Sequence, residues 1–321
     1  MTIIHSLEEV EYDQGSVISI GTFDGVHAAH QKIIREVIQR AKDRGGRSVL
    51  VTFNPHPKEI VGLKKKDNGA AIPAPVALLT THDEKLDLFS ALGVDMTLVV
   101  QFTYEFSRKP FRDFYREYIV NGIGVSEVIE GYDHGFGRDR EAGPAELLAL
   151  GREFGFSVVA EKQLMIEGDI VSSSLIRSCL AEGNLVKANR LLGRRFSLSG
   201  RVVAGDRRGK SLGFPTANVA VNDSRKMIPR NGVYAVNARV QGREYRGLMS
   251  IGVLPTFFER HERICEVYLF DFDNDIYGET MAVECIEWIR GEKKFDSPEE
   301  LVKEMNRDKI QGKKIFETAQ S

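Results

Sequence analysis

Gly21-Thr-Phe-Asp-Gly-Val-His27-Ala-Ala-His30 is the stretch that decides the fold of the first part of this chain. An apolar run at 17–20 precedes it, and apolar residues at helical spacing follow it as far as Gly45-Gly46. This order predicts a strand, a glycine-containing turn, a helix that ends at the paired glycines, and a second strand at 48–53. The segment is therefore a β-α-β unit, and its two strands are expected to be parallel.

Two histidines lie one turn apart where this helix begins. Backbone N–H groups at a helix start carry partial positive charge, and the glycines of the turn allow a phosphate to approach the backbone. His27 and His30 would add donors to the same anion, so phosphate contact is the favoured interpretation. A purely structural pair is the next alternative. A zinc half-site ranks last, because zinc needs a third ligand and the cysteines at 179, 265 and 285 are far apart in sequence.

The composition restricts the classes of protein to consider. A chain of 321 residues is expected to form two domains. Its 44 Lys and Arg residues balance 46 Asp and Glu residues, so no global basic field recruits nucleic acid or an anionic membrane. There is no secretory signal pattern, no disulfide pattern and no run of eighteen apolar residues. We expect a cytoplasmic protein that binds small molecules; the oligomeric state stays open.

The fold class changes along the chain. Helical and extended patterns alternate up to about residue 180, which predicts a doubly wound, Rossmann-like parallel sheet that binds ligands at the carboxyl ends of its strands. Extended runs then follow, with hairpin turns predicted at Gln241-Gly242 and Asp273-Asn-Asp275, and they predict an antiparallel β-barrel with a terminal helix. We expect domains at 1–185 and 186–321.

A second phosphate-binding pattern lies at Ser172-Ser-Ser-Leu-Ile-Arg177. Hydroxyl groups at a helix start, with an arginine about one turn later, can hold the β- and γ-phosphates of a nucleotide. Serines at a helix start are more often plain caps. Together with the turn at 21–30 in one domain, however, the pattern predicts a second clamp on the same triphosphate.

These motifs resemble the HxGH nucleotidyltransferases, and within them the adenylyltransferase half of bacterial FAD synthetase. Three further segments carry the resemblance: Val51-Thr-Phe-Asn-Pro-His-Pro57 is similar to TFxPHP, Gly131-Tyr-Asp-His-Gly-Phe-Gly-Arg138 to GxDFxFG, and Val171-Ser-Ser-Ser-Leu-Ile-Arg177 to ISSTxIR. The resemblance implies in-line attack of the FMN phosphate on the α-phosphorus of ATP. Such a reaction depends mostly on positioning and charge neutralisation.

The resemblance also implies roles for single residues. His27 and His30 contact the phosphates of ATP and stabilise charge in the transition state, while Arg177 holds the leaving pyrophosphate. The other implied ATP contacts are Gly21, Phe23, Asp24, Gly25, Ser172, Ser173 and Ser174, and the implied pocket for FMN and nucleotide is lined by Asn54, Pro55 and Asp133. Ala29 replaces the glycine of HxGH, and His134 replaces a phenylalanine. A kinase with a degenerate adenylyltransferase domain is therefore the alternative.

The second half contains a basic glycine loop, Gly205-Asp-Arg-Arg-Gly-Lys-Ser211, that is not a P-loop. The P-loop pattern requires glycine at Ala204 and a following helix, which Pro215 interrupts. Thr216 and Asn218 could face the same side of an extended segment and bind Mg2+; a polar turn without metal is the alternative.

Glu266 is the exception in an otherwise apolar and aromatic run at 264–270. Desolvation tends to raise the pKa of a carboxyl group in such a place, which suits a general base. A salt bridge to Arg263 or to an arginine on another strand is an equally good explanation from these residues alone.

The second half resembles the flavokinases. The segment 205–218 with its PTAN core, Gly232-Val-Tyr-Ala235, Ser250-Ile-Gly-Val-Leu-Pro-Thr-Phe257 and the run from Glu266 carry the resemblance in the family's order. It implies that Glu266 deprotonates the 5′-hydroxyl of riboflavin and that Thr216 and Asn218 ligate Mg2+. The implied cover of the ATP phosphates comprises Gly205, Lys210, Gly213, Phe214 and Pro215. Both resemblances together predict that riboflavin is converted to FMN in the barrel and FMN to FAD in the first domain, each with ATP.

Overall fold

The computed structural model describes residues 1–62, 64–65, 71–72, 76–131, 143–205, 212–253 and 263–318; for 64–65 and 71–72 it describes the backbone. The chain divides into two compact units, Met1–Ser173 and Ser174–Ser321. In the described residues, no helix is long and apolar enough to cross a membrane.

The first unit contains a six-stranded sheet and two small hairpins. Its strands are β1 (Thr2–Ile4), β2 (Val17–Ile20), β3 (Ser48–Asn54), β4 (Lys64–Lys65), β5 (Ala71–Ile72), β6 (Met96–Gln101), β7 (Glu127–Glu130), β8 (Ser157–Ala160), β9 (Met165–Ile166) and β10 (Asp169–Ile170). The large sheet has the order β1-β6-β3-β2-β7-β8, and all of its pairings are parallel. This confirms the predicted doubly wound sheet.

Helices cover both faces of this sheet. They are α1 (Ala28–Arg44), α2 (Pro57–Val61), α3 (His82–Leu92), α4 (Tyr104–Ser107), α5 (Phe111–Phe114), which continues as a π-helix over Tyr115–Ile123, and α6 (Pro144–Phe154). Side chains alternate along β3, so Val49 and Val51 pack in one apolar cluster and Leu50 in another. The strand order reverses beside β2, and α1 starts at that switch point.

The second unit is a closed barrel with helices outside it. After α7 (Ser173–Glu182), which starts at the last residue of the first unit, come α8 (Leu185–Leu192), β11 (Phe196–Val203), β12 (Ala217–Val221), β13 (Gly232–Val240), β14 (Arg243–Val253), β15 (Arg263–Leu269), β16 (Thr280–Arg290) and α9 (Pro298–Thr318). The barrel order is β11-β12-β15-β14-β13-β16, and its pairings are antiparallel. The predicted barrel with a terminal helix is confirmed.

One predicted hairpin is present and one is wrong. Gln241 and Gly242 both have positive φ, 50° and 74°, and they close the hairpin of β13 and β14. The turn at 273–275 does not close a hairpin, because β15 pairs with β12 and β14 whereas β16 pairs with β11 and β13. Turn residues mark where a strand ends, but barrel closure decides which strand becomes its neighbour.

Candidate functional site

The turn after β2 has an unusual backbone. Phe23, Gly25 and Val26 have φ values of 48°, 85° and 38°. Positive φ is strained for a phenylalanine and more so for a β-branched valine, at a cost of about 1–3 kcal/mol each. Such strain persists only where surrounding contacts impose it, and it is typical of ligand-binding turns.

Hydrogen bonds from the start of α3 impose this geometry. The buried Asp24 accepts from the backbone N–H groups of Leu79 at 2.9 Å and Thr80 at 3.3 Å, and the Gly25 N–H donates to Thr80 Oγ1 at 3.0 Å. The Ser173 hydroxyl donates to the Asp24 carbonyl at 2.9 Å. Asp24 and Ser173, both predicted to contact ATP, are therefore found bracing the turn.

The two histidines lie at the first turn of α1. The buried His27 is the N-cap residue, and its Nδ1 accepts from the His30 N–H at 3.4 Å. An accepting Nδ1 places the proton of a neutral imidazole on Nε2, which is then a donor. The two rings stack, with centroids 3.6 Å apart and an angle of 16°, and the Phe23 ring meets His30 edge-on at 5.3 Å. The paired imidazoles are thus held in one orientation.

A buried lysine, Lys85 on α3, lies under the same turn and was not predicted. Its ammonium group donates to the Thr22 carbonyl at 3.2 Å, to Thr52 Oγ1 at 2.9 Å and to the Phe53 carbonyl at 3.5 Å. Burial lowers the pKa of Lys85 to about 8, and the Asp24 carboxylate opposes this shift. The sequence did contain a signal, because Lys85 occurs four residues before the buried Phe89, on the apolar stripe of the helix.

The other described residues that were predicted for this site lie at the end of β3 and around the start of α7. Asn54 ends β3, and its carbonyl accepts from the Phe102 N–H at 3.0 Å. Ser172 is half-buried and belongs to the first unit, whereas the exposed Ser174 and the half-buried Arg177 belong to the second. Asp133 lies outside the described residues.

In the barrel, three side chains form a row across neighbouring strands. Glu266 on β15 is directly paired with Asn218 on β12 and with Ser250 on β14. Directly paired residues of antiparallel strands project from the same face of the sheet. The burial pattern of β15 places the half-buried Glu266 on the face opposite Cys265 and Val267, which are buried.

The side-chain amide of Asn218 lies close to the backbone of Gly205. Its Oδ1 atom is buried and has no hydrogen-bond partner among the described residues. The backbone at Gly205 approaches it so closely that a Cβ atom there would lie 1.7 Å from Asn218 Nδ2. Among the described residues, no cluster of three His, Cys, Asp or Glu side chains could hold a metal ion.

The segment before Asn218 is only partly described. Gly213 has a φ of 83°, and the buried Phe214 meets the Tyr268 ring edge-on at 5.1 Å. Pro215 is exposed and Thr216 half-buried. Lys210 lies outside the described residues.

A strained turn at the switch point of a parallel sheet, followed by a barrel with a row of carboxylate and amide side chains, is the arrangement expected of a two-unit nucleotide-dependent transferase. The model of the FAD synthetase family matches residues 9–175, and that of the riboflavin kinase family matches residues 192–316. A bifunctional riboflavin kinase/FMN adenylyltransferase of Listeria monocytogenes is 36% identical over 95% of this chain and 93% of that protein. One of Bacillus subtilis is 35% identical over 98% of this chain and 97% of that protein. The chain belongs to the family of bifunctional riboflavin kinase/FMN adenylyltransferases.

A solved structure extends the likeness to both units. The crystal structure of a protein titled macrolide-efflux protein from Streptococcus pneumoniae has a TM-score of 0.86 and 30% identity, and the match covers 97% of this chain and 98% of that one.

Proposed function

We propose that this chain makes FAD in two steps. The barrel unit transfers the γ-phosphate of ATP to riboflavin and releases FMN and ADP, and the first unit transfers AMP from a second ATP to FMN and releases pyrophosphate. The observation that carries this proposal is the presence of both family matches in one chain, whose relatives bear both names. It favours the bifunctional enzyme over a kinase with a degenerate first domain.

For adenylyl transfer, residues of the proposed domain 1–185 orient the phosphates and stabilise negative charge. The start of α1 directs backbone N–H groups at the triphosphate, and His27 and His30 add imidazole donors from one stacked pair. We assign Arg177 and Ser172–Ser174 to the leaving pyrophosphate, and Gly21 and Gly25 to close backbone approach. Asn54, Pro55 and Asp133 are assigned to the pocket for FMN. Positioned donors of this kind act on charge that develops at the α-phosphorus.

For riboflavin phosphorylation, Glu266 is the proposed general base. Its carboxylate accepts the proton of the 5′-hydroxyl as the oxygen attacks the γ-phosphorus, and ADP leaves. The row with Asn218 and Ser250 supports this role because it collects polar groups on one face. We assign the ATP phosphates to the segment that contains Gly205, Lys210, Gly213, Phe214 and Pro215.

We further propose that Thr216 and Asn218 hold Mg2+ in the barrel unit. The donor set fits, because Mg2+ prefers oxygen ligands and shares them with phosphate groups, and the buried Oδ1 of Asn218 has no partner among the described residues. When bound, Mg2+ would neutralise charge on the ATP phosphates.

The extents of the two domains and the setting of the enzyme are also proposals. We place the domains at 1–185 and 186–321, a boundary that lies between the matched ranges 9–175 and 192–316. Because both reactions consume ATP, we propose a cytoplasmic enzyme. Its expected partners are riboflavin, FMN and ATP, without nucleic acid or membrane.

Two variants of the full chain test the assignment of separate sites. Glu266→Gln removes the proposed base and is expected to lower FMN formation by about 100-fold or more, while FAD formation from supplied FMN is unchanged. His30→Ala is expected to lower FAD formation by about 100-fold while FMN formation is unchanged. Chromatography of the flavin products measures both steps.

The exposed residues Glu244 and His5 provide matched controls, as Glu244→Gln and His5→Ala. Both controls should retain both activities. If either site variant were folded and lost both activities, the two-site assignment would be wrong.

A further inference from the structure

Lys85 is a buried ammonium group at the base of the phosphate-binding turn. Its side chain is only 7% exposed, and its three acceptors are Thr22 O, Thr52 Oγ1 and Phe53 O. An ammonium group has three donors, so these three acceptors use all of them. None of the three acceptors carries a formal charge.

A contribution to folding stability does not explain why the Lys85 ammonium group is buried. A buried charge loses its hydration, and buried ionic groups are often replaced by apolar residues at no cost to stability. The lowered pKa of Lys85 reflects this desolvation, and the field of Asp24 only partly compensates for it. A costly charge that is fully hydrogen-bonded near a ligand-binding turn is typical of a functional residue.

The three hydrogen bonds join the carboxyl ends of two neighbouring strands. Thr22 follows β2 and directly precedes Phe23, whose ring contacts His30. Phe53 directly precedes Asn54 at the end of β3. The Thr52 hydroxyl also donates to the Thr22 carbonyl, at 3.3 Å, so the ammonium completes a closed network. A shift of Lys85 would therefore move both the histidine side and the Asn54 side of the site.

We propose that Lys85 is a positioning residue for adenylyl transfer: it fixes the turn that orients His30 and the end of β3 that carries Asn54 in one geometry. This role rests on the proposed function of the first unit. Lys85 touches no reacting atom and acts through the groups that it holds.

The test replaces Lys85 by a side chain of similar length without charge or donors. In the full chain, Lys85→Met is expected to lower kcat for FAD formation from FMN by about 10- to 100-fold, because misplaced reacting groups cost that much. The KM for ATP should change less than kcat. Lys42→Met, at an exposed position of α1, is the matched control and should leave both constants unchanged.

A pH profile separates positioning from a purely structural role. The wild-type kcat should fall between pH 7 and pH 9.5, because an amine has one donor fewer than an ammonium group, whereas Lys85→Met should be low and flat. Other titratable groups near the turn in sequence or on the same helix are Asp24 in the turn, His27 and His30 at the start of α1, and His82, Asp83, Glu84 and Asp87 on α3; β3 carries none. They are present in both proteins, so the difference between the profiles belongs to Lys85.

Several outcomes would overturn the proposal. One is a Lys85→Met protein with the kcat and pH profile of Lys42→Met and only a lower melting temperature. If Lys85→Met does not fold, Thr52→Val, which removes one acceptor, must lower kcat severalfold; an unchanged kcat would refute the positioning role. Absence of FAD formation by the wild-type chain would instead refute the proposed function.

Discussion

Glu130 is a buried carboxyl group of the first unit whose pKa is shifted. It ends β7, it is buried, and its Oε2 atom has no hydrogen-bond partner among the described residues. Burial raises its pKa to about 7, from 4.5. The folded state therefore binds this proton more tightly than the unfolded state, so ionisation opposes folding.

This shift predicts a pH-dependent stability of the first unit. The contribution of the protonated Glu130 is complete below pH 4.5 and is lost as pH rises through about 7. At pH 8, Glu130→Gln should raise the free energy of unfolding by about 1–3 kcal/mol, since one pKa unit is worth about 1.4 kcal/mol. Hydrogen exchange of the β7 amides at pH 5 and pH 8 measures it.

Glu127 on the same strand provides a control whose substitution should change stability in the opposite direction. Glu127 is equally buried, but it pairs with Arg40 and Arg44, at 3.3 and 2.9 Å. Glu127→Gln should destabilise the unit at pH 8, because Arg44 loses the carboxylate that it contacts and Arg40 keeps only its pair with Glu36. If both glutamine variants changed stability in the same direction, the account of Glu130 would be wrong.

For single residues, the sequence predicted the positions of the proposed phosphate-binding side chains better than the residues that hold them in place. His27 and His30 fall where the pattern of turn and helix placed them. The brace role of Asp24 depends on Leu79 and Thr80, which lie more than fifty residues away along the chain. The apolar stripe of α3 indicates that Lys85 is buried, but its hydrogen-bond acceptors lie more than thirty residues away along the chain, so no local pattern identifies them. Ala29 occupies the second position of α1, and the relatives, which carry both names, favour the bifunctional enzyme over the degenerate alternative.

An ion pair with a buried carboxylate and an apolar cluster are among the contacts that hold helix α9 on the barrel. Arg290 on β16 binds Asp308 with three contacts of 2.8 to 3.1 Å, and the Asp308 side chain is buried. Phe316 packs in a cluster with Val233 and Leu248. Breaking such a pair is costly, because the remaining partner keeps its charge in a desolvated place.

Asp308→Ala should therefore lower the free energy of unfolding of the barrel unit by about 3–5 kcal/mol. Chemical denaturation followed by the fluorescence of Trp288, the single tryptophan, measures this change. Glu244→Gln removes the exposed pair with Arg239 and should change stability by less than about 0.5 kcal/mol. Equal effects of the two variants would show that the Arg290 pair does not anchor α9.

The sequence predicts the ends of a helix well where neighbouring residues determine them. The capping box of Thr81 and Glu84 and the left-handed Gly93, both of which are recognisable in the sequence, mark the two ends of α3. The segment at 273–275 failed as a hairpin because strand pairing in a closed barrel depends on distant partners, which turn residues do not encode.

For the whole molecule, alternation of helix and strand in one half and successive extended runs in the other were enough to predict both architectures. The domain boundary after residue 185 stays a prediction. The expected limit lies after residue 185, whereas the compact units divide after Ser173, inside the serine motif that opens α7. A helix that starts in one unit and continues in the next has no composition change to mark the division.

The measurement that tests the central claim most directly is a time course of flavin products from the wild-type chain with riboflavin, ATP and Mg2+. The account predicts that FMN appears first and is then converted to FAD, with one pyrophosphate released for each FAD. Accumulation of FMN without FAD or pyrophosphate, also when FMN is supplied, would contradict it.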